Sequence, residues 1–243
     1  MYHLIFVLIL CSSWIESDSA PSRAECDKEL KSMDEATKNI LLMNKDVDVP
    51  RNETALREWC RPMVSLSRRM SEHARCEKPF PAQIVKILSN TLKRPIKFLC
   101  QKNRKETVET FNCMSKEYTL RIRNETTQFL KVLDYVASNL TQDETLPMFC
   151  CAFAEIIERV EVKIESPKCS NPGIVPSRFL VERLRSVVDD IFDLICGPYK
   201  TVAICEEKVP KNMTSLRRAA LSDSDTAHGV FLPNVLKAIN NLA

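Results

Sequence analysis

The stretch "MFCCAFAEIIERV", residues 148–160, sets two cysteines side by side in a run spaced for a helix. Successive helix residues turn by about 100°. With Phe153 at the centre of the inward face, Phe149, Ile156, Ile157, Val160 and Ile164 fall within about 60° of it, and Cys150 lies at that margin. Cys151 lands about 160° away, among Glu155, Glu158 and Val162. The thiols therefore point to different sides and can neither bond each other nor share one metal ion. The geometry predicts two separate staples, Cys150 to a neighbour in the core and Cys151 to a segment crossing the outer face, with this helix as the hub of the fold.

The same period runs through most of the chain, and no segment alternates cleanly for a strand. Only three glycines occur, Gly173, Gly197 and Gly229, too few for a hairpin-rich architecture that needs positive-φ turns. The clearest helix is "PSRFLVERLRSVVDDIFDLICG", with Ser177 as its expected cap, Gly197 after its last turn, and Leu180, Leu184, Val187, Val188, Ile191 and Ile195 as its apolar stripe. Leu56, Trp59, Met63, Met70 and Ala74 share a face of an earlier helix. Ile84, Val85, Leu88 and Leu92 share another after Pro81, with Pro95 expected to kink it before Cys100. Residues 105–140 read as one helix or two, with Phe129, Leu133, Val136 and Leu140 inward, and a first helix near 27–43 carries Leu30, Met33 and Ile40.

The opening run Leu4 to Leu10 is too short to span a bilayer and matches a secretory signal, placed over residues 1–20. Cys11 falls within it. Ten cysteines remain, Cys26, Cys60, Cys76, Cys100, Cys113, Cys150, Cys151, Cys169, Cys196 and Cys205, an even count that reads as a disulfide framework behind a signal. If residues 55–76 form one helix, Cys60 and Cys76 stand about 24 Å apart at 1.5 Å per residue. A disulfide spans at most about 7 Å between Cα atoms, so each of the two pairs elsewhere. The remaining connectivities, among about 945 for ten cysteines, stay open. Sequons at Asn52, Asn124, Asn139 and Asn212 agree with the secretory compartment. The chain carries 35 basic against 32 acidic residues, and loss of Glu16 and Asp18 with the signal raises its net charge from +3 to about +5, a mild bias rather than a nucleic-acid footprint.

The cysteine order in "LREWCRPMVSLSRRMSEHARC", "LKRPIKFLC", "FNC", "MFCCAF" and "LICGPYKTVAIC" resembles a secreted helical family of nematodes and arthropods that includes the chondroitin proteoglycan 4 type and a domain of unknown function. The resemblance covers residues 26–206 and implies an all-α extracellular domain. Chondroitin attachment uses Ser-Gly dipeptides and the chain has none, so the likeness concerns the scaffold.

No nucleophile elbow, zinc-protease helix or glycine-rich phosphate loop occurs, and an enzyme is not expected. His73 reads as a solvated helix residue and His228 as part of a linker. Asp189, Asp190 and Asp193 read as a solvated helix face; no metal site and no cofactor is expected. Lys93, Arg94, Lys97, Lys102, Arg104 and Lys105 lie within thirteen residues without one acid, a candidate docking site for a sulfated glycosaminoglycan or another anionic extracellular surface. Arg217-Arg218 is a dibasic pair that a processing protease can read.

The expected protein is a secreted, non-enzymatic glycoprotein of matrix or body fluid. Its expected fold is all-α, a disulfide-stapled bundle of about six helices over residues 21–206, followed by a polar linker and a short C-terminal helix over 207–243. The alternative is an extracellular carrier with a small apolar ligand between its helices.

Overall fold

The computed structural model describes residues 21–44, 48–222 and 230–242. The proposed signal, Cys11 and His228 lie outside these residues. Among the described residues the fold is all-α, with eleven α-helices and no strand.

The first helix, α1 (Arg23–Ile40), starts in a capping box: the Glu25 amide donates to Ser22 Oγ at 3.3 Å, and the Ser22 amide donates to the Glu25 carboxylate at 2.8 Å. It ends in a Schellman turn, the Met43 amide reaching back to the Lys38 carbonyl at 2.7 Å. The left-handed position of that turn is held by Leu42, at φ 52°, where glycine is the usual residue. Helices α2 (Glu53–Val64) and α3 (Leu66–His73) follow, broken at Ser65, so the expected single helix over 55–76 is two. Helix α4 (Pro79–Lys97) opens on prolines in its first turn and runs past Pro95 into a wide π turn at Phe98–Lys102. Helices α5 (Arg104–Cys113) and α6 (Lys116–Asn139) divide at Met114, because Ser115 caps α6 through the Tyr118 amide at 3.0 Å.

The hub is α7 (Gln142–Glu158), every residue of which is buried from Met148 to Ile156. A helix buried on all sides needs cover all round. On the inward side Phe153 meets the rings of Phe129 at 4.8 Å, Phe149 at 5.1 Å and Phe192 at 5.2 Å. Phe192 belongs to α8 (Pro176–Ile195), whose first residue is Pro176; Val175 precedes it and Ser177 stands inside the helix, so Ser177 is not the cap. Of the stripe expected on α8, Val187 is buried while Leu180, Leu184 and Ile195 are half-buried; Phe179, Val181 and Phe192, outside that stripe, are buried as well.

The two staples are found. Cys150 bonds Cys196 at the end of α8, and Cys151 bonds Cys205 in α9 (Val202–Lys208), which crosses the outer face of α7. Both α7 cysteines are fully buried. Three more bridges, Cys26–Cys76, Cys60–Cys100 and Cys113–Cys169, tie α1 to the turn after α3, α2 to the π turn, and α5 to the loop before α8.

The expected linker after Cys205 holds a helix instead, α10 (Pro210–Ala220), which buries Met213, Leu216 and Ala220. Those three positions share one face, enough to seat the helix on α6 and α7 although the rest of the segment is polar. The last helix, α11 (Leu232–Asn240), packs on α1, α4 and α6. Its free amides are met from far away in sequence: Asp34 of α1, 1 % exposed, accepts the Phe231 amide at 2.8 Å and the Leu232 amide at 2.7 Å.

Candidate functional site

The basic run occupies the corner between α4 and α5. Leu92, Ile96, Leu99 and Cys100 are buried and fix the inner side, with Cys100 stapled to α2. Helical spacing then turns the cations outward. Lys93, Arg94, Lys97, Lys102 and Lys105 are exposed and Arg104 is half-buried. Arg94 and Lys97 stand in the last turn of α4, where the negative end of the helix dipole favours them.

The cations are not equivalent. Arg94 faces Asp190 of α8 at 3.7 Å, Lys105 faces Glu109 at 3.9 Å, and Lys93 donates to the Asn90 side chain at 2.8 Å. Lys97, Lys102 and Arg104 have no ion pair among the described residues. Helix α5 begins among these charges, and Asn103 makes no side-chain cap at its start. Its first-turn amides are the positive end of a helix, beside Lys102, Arg104 and Lys105, with Glu106 the one acid in that turn.

The other sequence candidates are dispersed. Asn52 caps α2 through its side-chain oxygen, which accepts the Ala55 amide at 2.9 Å. Asn124 is exposed on α6, and Asn139 is exposed at its end. Asn212 is half-buried in α10, its side-chain nitrogen 3.4 Å from Glu144. Asp189, Asp190 and Asp193 lie along α8; burial, then the neighbouring Asp193 and Asp190, push the Asp189 carboxyl above its ordinary range, against the pull of Arg185 and Lys200. Lys200 meets Asp193 at 2.6 Å, and no group of three metal-ligating side chains occurs among the described residues.

His73 departs from expectation. It is 4 % exposed rather than solvated, because α1 and α4 pack on α3, and its Nε2 lies 3.5 Å from Glu77. That contact, with a hydrogen bond from Asn240, holds the Glu77 carboxyl below the usual range against its burial. All ten described cysteines are paired, so none stands beside His73 as a thiol.

Arg217 and Arg218 close α10 rather than lying in an open linker. Arg217 bonds Glu155 at 3.1 Å and Glu206 at 2.7 Å. Glu155, 4 % exposed on the outer face of α7, also takes Arg159 at 3.0 Å. Sequence reasoning missed this buried carboxylate between two arginines, for nothing marks Glu155 apart from its neighbours until α10 is known to cover it.

An apolar cavity of about 40 Å³ lies between the α1 turn and α8, lined by Leu42, Leu99, Phe111, Ile156, Phe179 and Arg183. The Arg183 guanidinium stacks on the Phe98 ring at 3.7 Å and closes one side. A cavity that holds benzene has roughly 150 Å³, so this one is too small for a ligand of that size without rearrangement of its lining. No helix among the described residues is long and apolar enough to cross a membrane. Comparison with family models, curated proteins and solved structures returns no match, and the resemblance to the chondroitin proteoglycan 4 type rests on the cysteine order alone.

Proposed function

We propose that this chain is a secreted, N-glycosylated, non-enzymatic component of extracellular matrix or body fluid that docks on sulfated or otherwise anionic glycans through the α4–α5 corner. One observation supports the reading: five of the six cations of the run are exposed at the α4–α5 corner, Lys97, Lys102 and Arg104 have no ion pair among the described residues, and α5 starts there without a side-chain cap. Five disulfides support the oxidising compartment, and the cysteine order that resembles the chondroitin proteoglycan 4 type agrees with it. The rigid corner costs little to organise on binding, because the Cys60–Cys100 bridge already fixes it.

The test is retention on immobilised heparin at physiological salt. The Lys97→Gln, Lys102→Gln, Arg104→Gln, Lys105→Gln variant is expected to pass through unretained. A control with Lys28→Gln and Lys31→Gln, two exposed lysines of α1, is expected to elute with the wild type. Equal loss in both variants would mean general charge and no site; no loss in the first would overturn the proposal.

A further inference from the structure

Beside Asn139 a groove of about 380 Å³ runs between the end of α6 and the end of α10. It is within the range of ligand-binding clefts, about 300–1,000 Å³. Lys131, Asp134, Tyr135, Asn139, Ser215 and Arg218 line it. Tyr135 is half-buried, Ala219 adds a second apolar wall, and the remaining lining side chains end in charged, amide or hydroxyl groups. Such a mixture suits a sugar, whose C–H face packs on an aromatic ring while its hydroxyls meet charged and hydroxyl side chains.

Asn139 is the sequon residue placed to fill it. Its side-chain nitrogen donates to the Tyr135 carbonyl at 3.4 Å. Glycosylation replaces one of the two amide hydrogens, and where the other is the one donated to Tyr135 the bond is kept and orients the sugar. At Asn52 the cap holds the oxygen and leaves the nitrogen unanchored; at Asn212 the nitrogen turns toward Glu144. The groove is also held in shape, since Lys131 donates to the Ser222 carbonyl just past α10.

The geometry points to an N-glycan on Asn139 whose first N-acetylglucosamine lies in the α6–α10 groove against Tyr135, so that the glycan is a structural part of the fold and covers Arg218. The inference rests on the secreted-glycoprotein reading above. The donor is a lipid pyrophosphate-linked oligosaccharide, met by the chain before it folds. The Asn139 nitrogen forms a C–N bond to the anomeric carbon, the C–O bond to pyrophosphate breaks, the lipid pyrophosphate leaves with the electron pair, and the amide gives up one proton.

The experiment uses the full chain secreted from eukaryotic cells restricted to oligomannose glycans, with Asn52→Gln, Asn124→Gln and Asn212→Gln so that only Asn139 can be modified. Glycopeptide mass spectrometry on the unmodified chain and on this variant reads occupancy. Melting is then compared for three forms: the whole glycan, the product of an endoglycosidase that leaves one N-acetylglucosamine, and the Asn139→Gln chain. The single-sugar form is expected to melt with the intact one, and the sugar-free form about 2–4 °C lower, the scale of one aromatic contact in a domain of this size. Tyr135→Ala is expected to abolish that difference and Tyr135→Phe to keep it. As a second readout, trypsin is expected to cut after Arg218 at least several-fold faster in the sugar-free chain. Equal melting and equal cleavage with and without the sugar overturn the inference alone, as does an empty Asn139 beside occupied neighbours. Four empty sequons overturn both this inference and the glycoprotein reading.

Discussion

Replacing Asp34 by alanine tests how the C-terminal helix is held. Asp34 is 1 % exposed and accepts the amides of Phe231 and Leu232, nearly two hundred residues on, while Lys38 stands 3.4 Å from its other oxygen. Alanine leaves two buried amides without an acceptor, each costing about 1–3 kcal/mol, so Asp34→Ala is expected to cost roughly 2–6 kcal/mol. Asparagine keeps the acceptor oxygen and removes the charge. Burial pushes the Asp34 carboxyl above its ordinary range, against the amides and Lys38 that pull it down. A carboxyl raised on folding contributes stability that is present at low pH and lost as pH rises through the folded value, so the charge itself is a net cost near neutral pH. Asp34→Asn is therefore expected to lie within about 1 kcal/mol of the wild type. Guanidinium titration at pH 7, read by Trp59 fluorescence, measures both, because Trp59 is the one tryptophan among the described residues. Hydrogen exchange over residues 231–240 places the loss in α11. An Asn variant as damaged as the Ala variant would refute the argument that the oxygen, not the charge, does the capping.

Leu42 sits at φ 52° with its side chain buried, so Leu42→Gly and Leu42→Ala both lose core contacts, but glycine is expected to be about 1 kcal/mol the more stable of the two in chemical denaturation; alanine at or above glycine would mean the turn is unstrained. Burial pushes the Tyr118 phenol up to about 12, with Ser166 near enough to oppose the shift but not to bond the hydroxyl. Since the neutral form is favoured in the fold, stability present below pH 10 is expected to fall by about 2–3 kcal/mol between pH 10 and 12, and Tyr118→Phe to remove that step while costing nothing at pH 7; an unchanged alkaline profile in Tyr118→Phe would sink this assignment. Removing the Cys151–Cys205 bridge as Cys151→Ala with Cys205→Ala opens a 54-residue separation, and chain entropy gives a loss of about 4 kcal/mol in guanidinium titration; a loss under about 1 kcal/mol would mean α9 is held on α7 without it.

The adjacent cysteines could be read because a helix of fixed pitch must send them apart, and both staples fall on the sides that pitch assigns. Their partners could not, since Cys196 and Cys205 are brought to α7 by packing between helices far apart in sequence. Helix α10 escaped because only Met213, Leu216 and Ala220 mark its buried face, amid charges and hydroxyls that composition assigns to a linker. His73 looked solvated for a related reason: what buries its helix is the packing of α1 and α4 on α3, which local spacing does not show. The basic corner was legible as a charge run, because six cations without an acid need no tertiary information. Its uneven pairing was not, as Asp190 reaches Arg94 only through the contact of α4 with α8. The Asp34 cap leaves no local signal at all, there being no capping residue adjacent to α11 in sequence.

The central claim is that the α4–α5 corner binds polyanions by ion pairing, and the salt dependence of binding tests it most directly. Heparin affinity of the secreted chain, measured by titration calorimetry across a series of salt concentrations, is expected to fall linearly on a log–log plot with a slope of about −3, as counterions are released by the four cations Lys97, Lys102, Arg104 and Lys105. The slope is expected to approach zero in the variant with all four changed to glutamine. A flat salt dependence in the wild type, or a slope unchanged by removing these charges, would contradict the account.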